Sequence, residues 1–162
     1  MYLYRIETWD EKFTVLIGEK LGATVTSPGV IVLSGDLGAG KTTFTRGIAR
    51  GLGIKDTVHS PTFNLLNIYT GGRFPLYHFD FYRLDNYEEL WDLDLEEYFF
   101  GDGLTVVEWG SKFTDILPKE YLEVFFSLSS RGETNRIISF LPSGIWAEYL
   151  TRGLRTYGGF RY

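Results

Sequence analysis

The sequence predicts an α/β sandwich around a mixed sheet, and three observations carry that prediction. Val30-Ile31-Val32-Leu33 is a short aliphatic run without alternation, as expected of a strand buried on both faces in a parallel sheet. A glycine-rich turn and a helical pattern over Lys41 to Leu52 follow it, the strand–helix unit from which parallel crossovers are built. Two pairs of β-rich runs, one about Gly71-Gly72 and one about Arg131-Gly132, read as hairpins, which are antiparallel. Together these require strands of both directions in one sheet.

Along the chain, Thr8-Trp9-Asp10-Glu11 has capping-box spacing, and Phe13, Leu16, Ile17 and Leu21 follow at helical intervals. A first helix is expected from about Trp9 to Leu21. Val30 to Leu33, closed by Gly35, is the expected central strand. In the helix from Lys41, Phe44, Ile48, Ala49 and Leu52 share a face and Gly53 ends it. Phe63 to Tyr69 and Phe74 to Tyr82 are the strands of the first hairpin. In the second of them Tyr77, Phe79 and Phe81 fall on one face, leaving His78, Asp80 and Tyr82 on a polar one. Leu104 to Val107 repeats the buried-strand pattern and ends in Glu108-Trp109. Tyr121 to Leu128 and Arg136 to Leu141 form the second hairpin, and Ile145 to Leu154 reads as a closing helix. Thr151 to Tyr162 holds Arg152, Arg155 and Arg161, three glycines and no acid. One domain over residues 1–154 and a loosely ordered tail over 155–162 are therefore expected.

Composition narrows the function. With 162 residues, 44% of them hydrophobic and 17% aromatic, the chain has the makings of one packed core and not of a disordered segment. Its formal charge of −5 gives no net field to draw in phosphate backbones or anionic lipid. Contact with nucleic acid is expected to be local or made through a partner. The absence of cysteine excludes a disulfide scaffold and a thiolate zinc site. No apolar run is long enough to span a bilayer, and Arg5, Glu7 and Asp10 stand where a signal peptide would be apolar, so a cytoplasmic location is expected.

Gly35-Asp36-Leu37-Gly38-Ala39-Gly40-Lys41-Thr42 matches the phosphate-loop pattern and lies between the expected strand and helix. Gly35, Gly38 and Gly40 permit turns that aim successive N–H groups of Asp36 to Thr43 at one anion, near the positive end of the next helix. Lys41 supplies a point charge for the β and γ phosphates of a nucleotide. Thr42 offers its hydroxyl to Mg²⁺, which takes few protein ligands and bridges to phosphate oxygens; Thr43 is a second, weaker hydroxyl. Such a site also needs a strand-end carboxylate near the metal and a group that orients water. Glu108 and Asp80 both qualify, and strand geometry does not divide the two roles between them. His78 reads more simply as a structural histidine, Tyr82 as core or rim, and Arg83 as a surface ion-pair partner.

Four segments in this order, Gly35 to Thr43, Ser60-Pro61-Thr62-Phe63, His78-Phe79-Asp80-Phe81-Tyr82-Arg83-Leu84 and Val107-Glu108-Trp109, resemble the TsaE (YjeE) family of small bacterial ATPases of tRNA threonylcarbamoyladenosine synthesis. The resemblance spans about residues 5 to 150. It implies a three-layer phosphate-loop NTPase fold, ATP and Mg²⁺ as ligand and cofactor, and hydrolysis coupled to TsaD and TsaB proteins, with tRNA reached only through their complex. It further implies Thr42 and Glu108 as metal ligands and Ser60, Pro61 and Thr62 as a switch-like loop. Asp80 becomes the acid aiding hydrolysis, Trp109 a site-side aromatic, and Arg136 a nucleotide-side arginine. A basic residue of some members is Glu133 here, and whether Arg131 takes its part is open. A GTP switch is disfavoured because Asn-Lys-x-Asp is absent, and a small-molecule phosphotransferase because no arginine-rich lid segment is present.

Overall fold

Short runs of β-branched and aromatic residues, separated by glycine and polar turns, assemble here into one eight-stranded sheet. The computed structural model describes residues 3–61 and 63–161. The order along the chain is β1 (Leu3–Thr8), α1 (Glu11–Thr24), β2 (Gly29–Gly35), α2 (Lys41–Leu52), β3 (Leu66–Tyr69), β4 (Leu76–Asp80), α3 (Leu95–Phe99), β5 (Leu104–Glu108), β6 (Leu122–Leu128), β7 (Arg136–Leu141), α4 (Trp146–Leu154) and β8 (Gly159–Arg161). Two 3₁₀ segments, Tyr87–Leu93 and Gly110–Ile116, flank α3 and β5.

Across the sheet the strands run β3-β4-β5-β2-β6-β7-β1-β8. β4, β5, β2 and β6 are mutually parallel, while β3, β7, β1 and β8 are attached antiparallel. The expected mixed sheet with two hairpins is therefore present, and the aliphatic run Val30 to Leu33 lies in its interior, completely covered. Alternation sends Ile31 and Leu33 to one core and Val30 and Val32 to the other. The first core is closed by α1, α2 and α4, and the second, smaller one by the 3₁₀ segments and α3, which gives three layers.

The α1–α2 contact is unusually close. A Cβ added to Gly18 would lie 2.4 Å from the Phe44 carbonyl oxygen, and one on Gly22 would lie 2.5 Å from that of Ile48. From the other side, Gly47 would meet the Val15 carbonyl oxygen at 2.2 Å and Gly51 that of Glu19 at 2.3 Å. Glycines four apart on both helices thus let backbone rest on backbone.

The structure revises the ends of several elements. Residues 3–8 form a strand that the helical reading overlooked, and Asp10, not Thr8, caps α1 by accepting a hydrogen bond from the Phe13 amide at 2.8 Å. Thr8 is buried, its hydroxyl 2.8 Å from that of Thr14. Asp10→Ala is expected to reduce unfolding free energy by about 1 kcal/mol in urea titrations, whereas Thr8 contributes no cap to lose. Phe63 lies in an exposed turn ahead of β3, so that strand begins three residues later than its aromatic content suggested. The segment expected to be a loose tail contains β8, which pairs with β1.

Candidate nucleotide site

The site grows from the carboxyl end of β2. Gly35 closes that strand with φ +143°, and a Cβ there would stand 2.6 Å from the Phe126 carbonyl oxygen on β6, so only glycine fits. The loop then enters α2 through Gly40, whose left-handed φ of +111° starts the helix without a side-chain cap. The first amides of α2 are left for a ligand, at the helix end where the backbone dipoles favour negative charge. Within the loop Asp36, Leu37 and Gly38 are exposed, while Ala39 anchors it in the main core.

Lys41 is 5% exposed and folds back over this loop, its ammonium donating to the carbonyl oxygens of Gly35 (2.6 Å) and Asp36 (2.8 Å). The same nitrogen lies 4.5 Å from the centre of the Trp109 ring. Burial lowers the lysine's pKa, and the nearby carboxylates of Glu108, Asp80 and Asp36 oppose that shift. Trp109 holds φ +64°, a strained value for a bulky residue, and its ring also meets Tyr82 at 5.1 Å.

Facing the loop, β4 and β5 end in register, with Asp80 beside Glu108. Glu108 is 3% exposed and accepts the Thr42 hydroxyl at 3.3 Å on each carboxylate oxygen. It also binds the imidazole of fully buried His78, at 2.6 Å. Asp80 accepts from the Ser60 hydroxyl at 3.0 Å and from the Tyr82 amide at 2.9 Å. The polar face read along β4 is thus real, but its His78 is sealed beneath the site and does not front it.

Lys41, Thr42, Ser60, Asp80, Glu108 and Trp109 line, with the loop, a cleft of about 180 Å³. A second cleft, of about 280 Å³, lies beyond Gly38, Gly40 and Thr43 and is completed by Glu11, Thr14, Thr134 and Arg136. The two share Gly38, Gly40 and Thr43, so Arg136, far away in sequence, lines a cleft that adjoins the first. Arg131 does not: it is exposed and pairs with Glu7 at 3.4 Å. Pro61 is buried outside both clefts, and Thr62 lies outside the described residues. Sequence reasoning missed Glu11 and Thr14, whose helix is brought to the loop by α1–α2 packing, and read His78 as structural, which its complete burial fits. Of those, only His78 carried a local signal, its place two residues before Asp80 on one face.

A parallel β-core in three layers, with a glycine-lined strand-to-helix loop bearing lysine and threonine opposite a strand-end carboxylate, defines a P-loop NTPase fold. The crystal structure of Bacillus subtilis YdiB is similar to it, with a TM-score of 0.79 and 36% identity over 94% of this chain and 97% of that one. The family model described as "Threonylcarbamoyl adenosine biosynthesis protein TsaE" matches residues 8–138, and the chain belongs to the TsaE family. Among its relatives, the tRNA threonylcarbamoyladenosine biosynthesis protein TsaE of Bacillus subtilis is 46% identical over 136 residues, covering 83% of this chain and 84% of the relative. The protein of the same name from a Nostoc species is 43% identical over 127 residues, 76% of this chain and 77% of its own. Among the described residues no helix is long and apolar enough to cross a membrane.

Proposed function

We propose that this chain binds and hydrolyses ATP as a component of the tRNA threonylcarbamoyladenosine machinery, docking on a TsaD–TsaB complex and resetting it between cycles. Family membership supports the pathway. The observation that carries the chemistry is the convergence of the Lys41 ammonium, the Thr42 hydroxyl and the Glu108 carboxylate at the uncapped start of α2. A triphosphate entering this hollow would draw Lys41 from the Gly35 and Asp36 carbonyls onto its own oxygens, where the opposite charge makes each hydrogen bond stronger.

Thr42 and Glu108 suit Mg²⁺, both being hard oxygen donors within 3.3 Å of each other. When bound, that ion neutralises charge on the β and γ phosphates. Asp80, tied to Ser60 and to a backbone amide, is the better placed of the two acids to orient water. The −5 charge fits a protein that meets tRNA only through its partners.

Hydrolysis should be slow for the isolated chain, because charge supplied by a partner accelerates related reactions by about 10³ to 10⁵. The test is phosphate release measured with and without TsaD and TsaB. Stimulation supports the reading, and an unchanged rate removes the coupling. Asp80→Asn should keep ATP affinity within about threefold while slowing hydrolysis on the order of 10²-fold. It should also leave the complex able to make product once but not repeatedly, and undiminished multiple turnover would sink the reset role.

A further inference from the structure

His78 is a group the scheme above does not use. It sits on β4, fully buried, two residues before Asp80 and on the same face. A carboxylate only accepts, so in the 2.6 Å contact it is Nε2 of the imidazole that carries the hydrogen. Its Nδ1 is buried too and has no hydrogen-bond partner among the described residues. A core histidine kept for packing would be expected to satisfy both nitrogens. This one satisfies only the nitrogen that faces Glu108.

Glu108 needs such support. Its contacts with Thr42 are long, 3.3 Å to each oxygen, whereas the bond to His78 is short. Released from His78, the carboxylate is free to leave the Thr42 hydroxyl, on which only those two long contacts hold it.

We propose that His78 is a positioning residue: from beneath the sheet's end it holds Glu108 in the rotamer that faces Thr42, and so sets the affinity of the site for magnesium-bound nucleotide. The inference rests on the reading of Thr42 and Glu108 as the Mg²⁺-holding pair. Buried partners that orient a ligating carboxylate are typically worth about 10- to 100-fold in metal affinity.

The experiment measures ATP binding by calorimetry in excess Mg²⁺ and in EDTA, for the wild type, His78→Leu and His78→Gln, with thermal unfolding recorded for each. Leucine keeps the bulk and removes the donor; glutamine places an amide N–H near the position of Nε2. His78→Leu should bind ATP in EDTA within about twofold of wild type and lose about 10- to 100-fold of the gain that Mg²⁺ brings. His78→Gln should recover most of that gain. Equal losses with and without Mg²⁺, or a leucine variant with the wild-type gain, would overturn the proposal. If the wild type itself gained nothing from Mg²⁺, the Thr42–Glu108 reading would fall first and the role of His78 with it. Should His78→Leu not fold, ¹⁵N-histidine NMR on the wild type decides: a hydrogen on Nε2 alone supports the proposal, and one on Nδ1 alone excludes it.

Discussion

Replacing Lys41 with alanine is expected to weaken ATP binding about 10²- to 10³-fold while leaving the fold intact. Its ammonium is poised to exchange two carbonyl acceptors for phosphate oxygens. A hydrogen bond to a charged group contributes about 1.5–3 kcal/mol. Two of them, less what water and the remaining backbone amides recover, amount to roughly 3–4 kcal/mol, and each 1.4 kcal/mol is a factor of ten. Calorimetric titration with ATP checks this. Affinity within threefold of wild type would remove Lys41 from the site, and with it the reason for the loop's shape. Thermal unfolding of the variant should change little, since Gly35 is half-buried and Asp36 exposed, so water can take the ammonium's place at their carbonyl oxygens.

The second large effect is on stability. Gly47→Ala would put a methyl group 2.2 Å from the Val15 carbonyl oxygen and 3.0 Å from the Glu19 amide nitrogen, both of them backbone atoms that no rotamer change can move aside. Alanine is intrinsically better than glycine in a helix by about 1 kcal/mol. Overpacking a rigid contact costs about 1–3 kcal/mol and sometimes more, and here the helices must separate along their length. A net loss of about 2 kcal/mol is expected, which for a domain of this size lowers the melting temperature by about 4–8 °C. An unchanged or raised melting temperature would show that α1 and α2 are free to part.

Much of the architecture was legible because local signals agreed with one another. The aliphatic run of β2, the glycine pattern and the α2 periodicity each imply the same strand–loop–helix unit, and α2 begins at Lys41 and ends before Gly53 as its residues suggest. Strand order was not legible. Nothing local says that β2 lies between β5 and β6, because register across a parallel sheet is set by contacts between distant segments. The amino-terminal strand was lost to a competing pattern, since Thr8 and Glu11 offer capping chemistry that Asp10 provides instead. In the site, residues borne by the motif were visible, while those delivered by packing, such as Arg136, needed the family resemblance, and Glu11 and Thr14 needed the fold. His78 shows a further limit. Its residue type is compatible with a core or a site, and its burial 2.6 Å from Glu108, beneath the cleft, comes from pairing of distant strands that no local signal gives.

The backbone-on-backbone seam between α1 and α2 has a mechanical consequence. A helix locked to its neighbour by four glycines has no slack in which to slide, so under the proposed hydrolysis α2 would serve as an anvil in front of which phosphate is cleaved. Any displacement would then leave on the opposite bank, through the Ser60 segment and the strained Trp109 corner. A partner able to sense which nucleotide is held would have to lean on that bank.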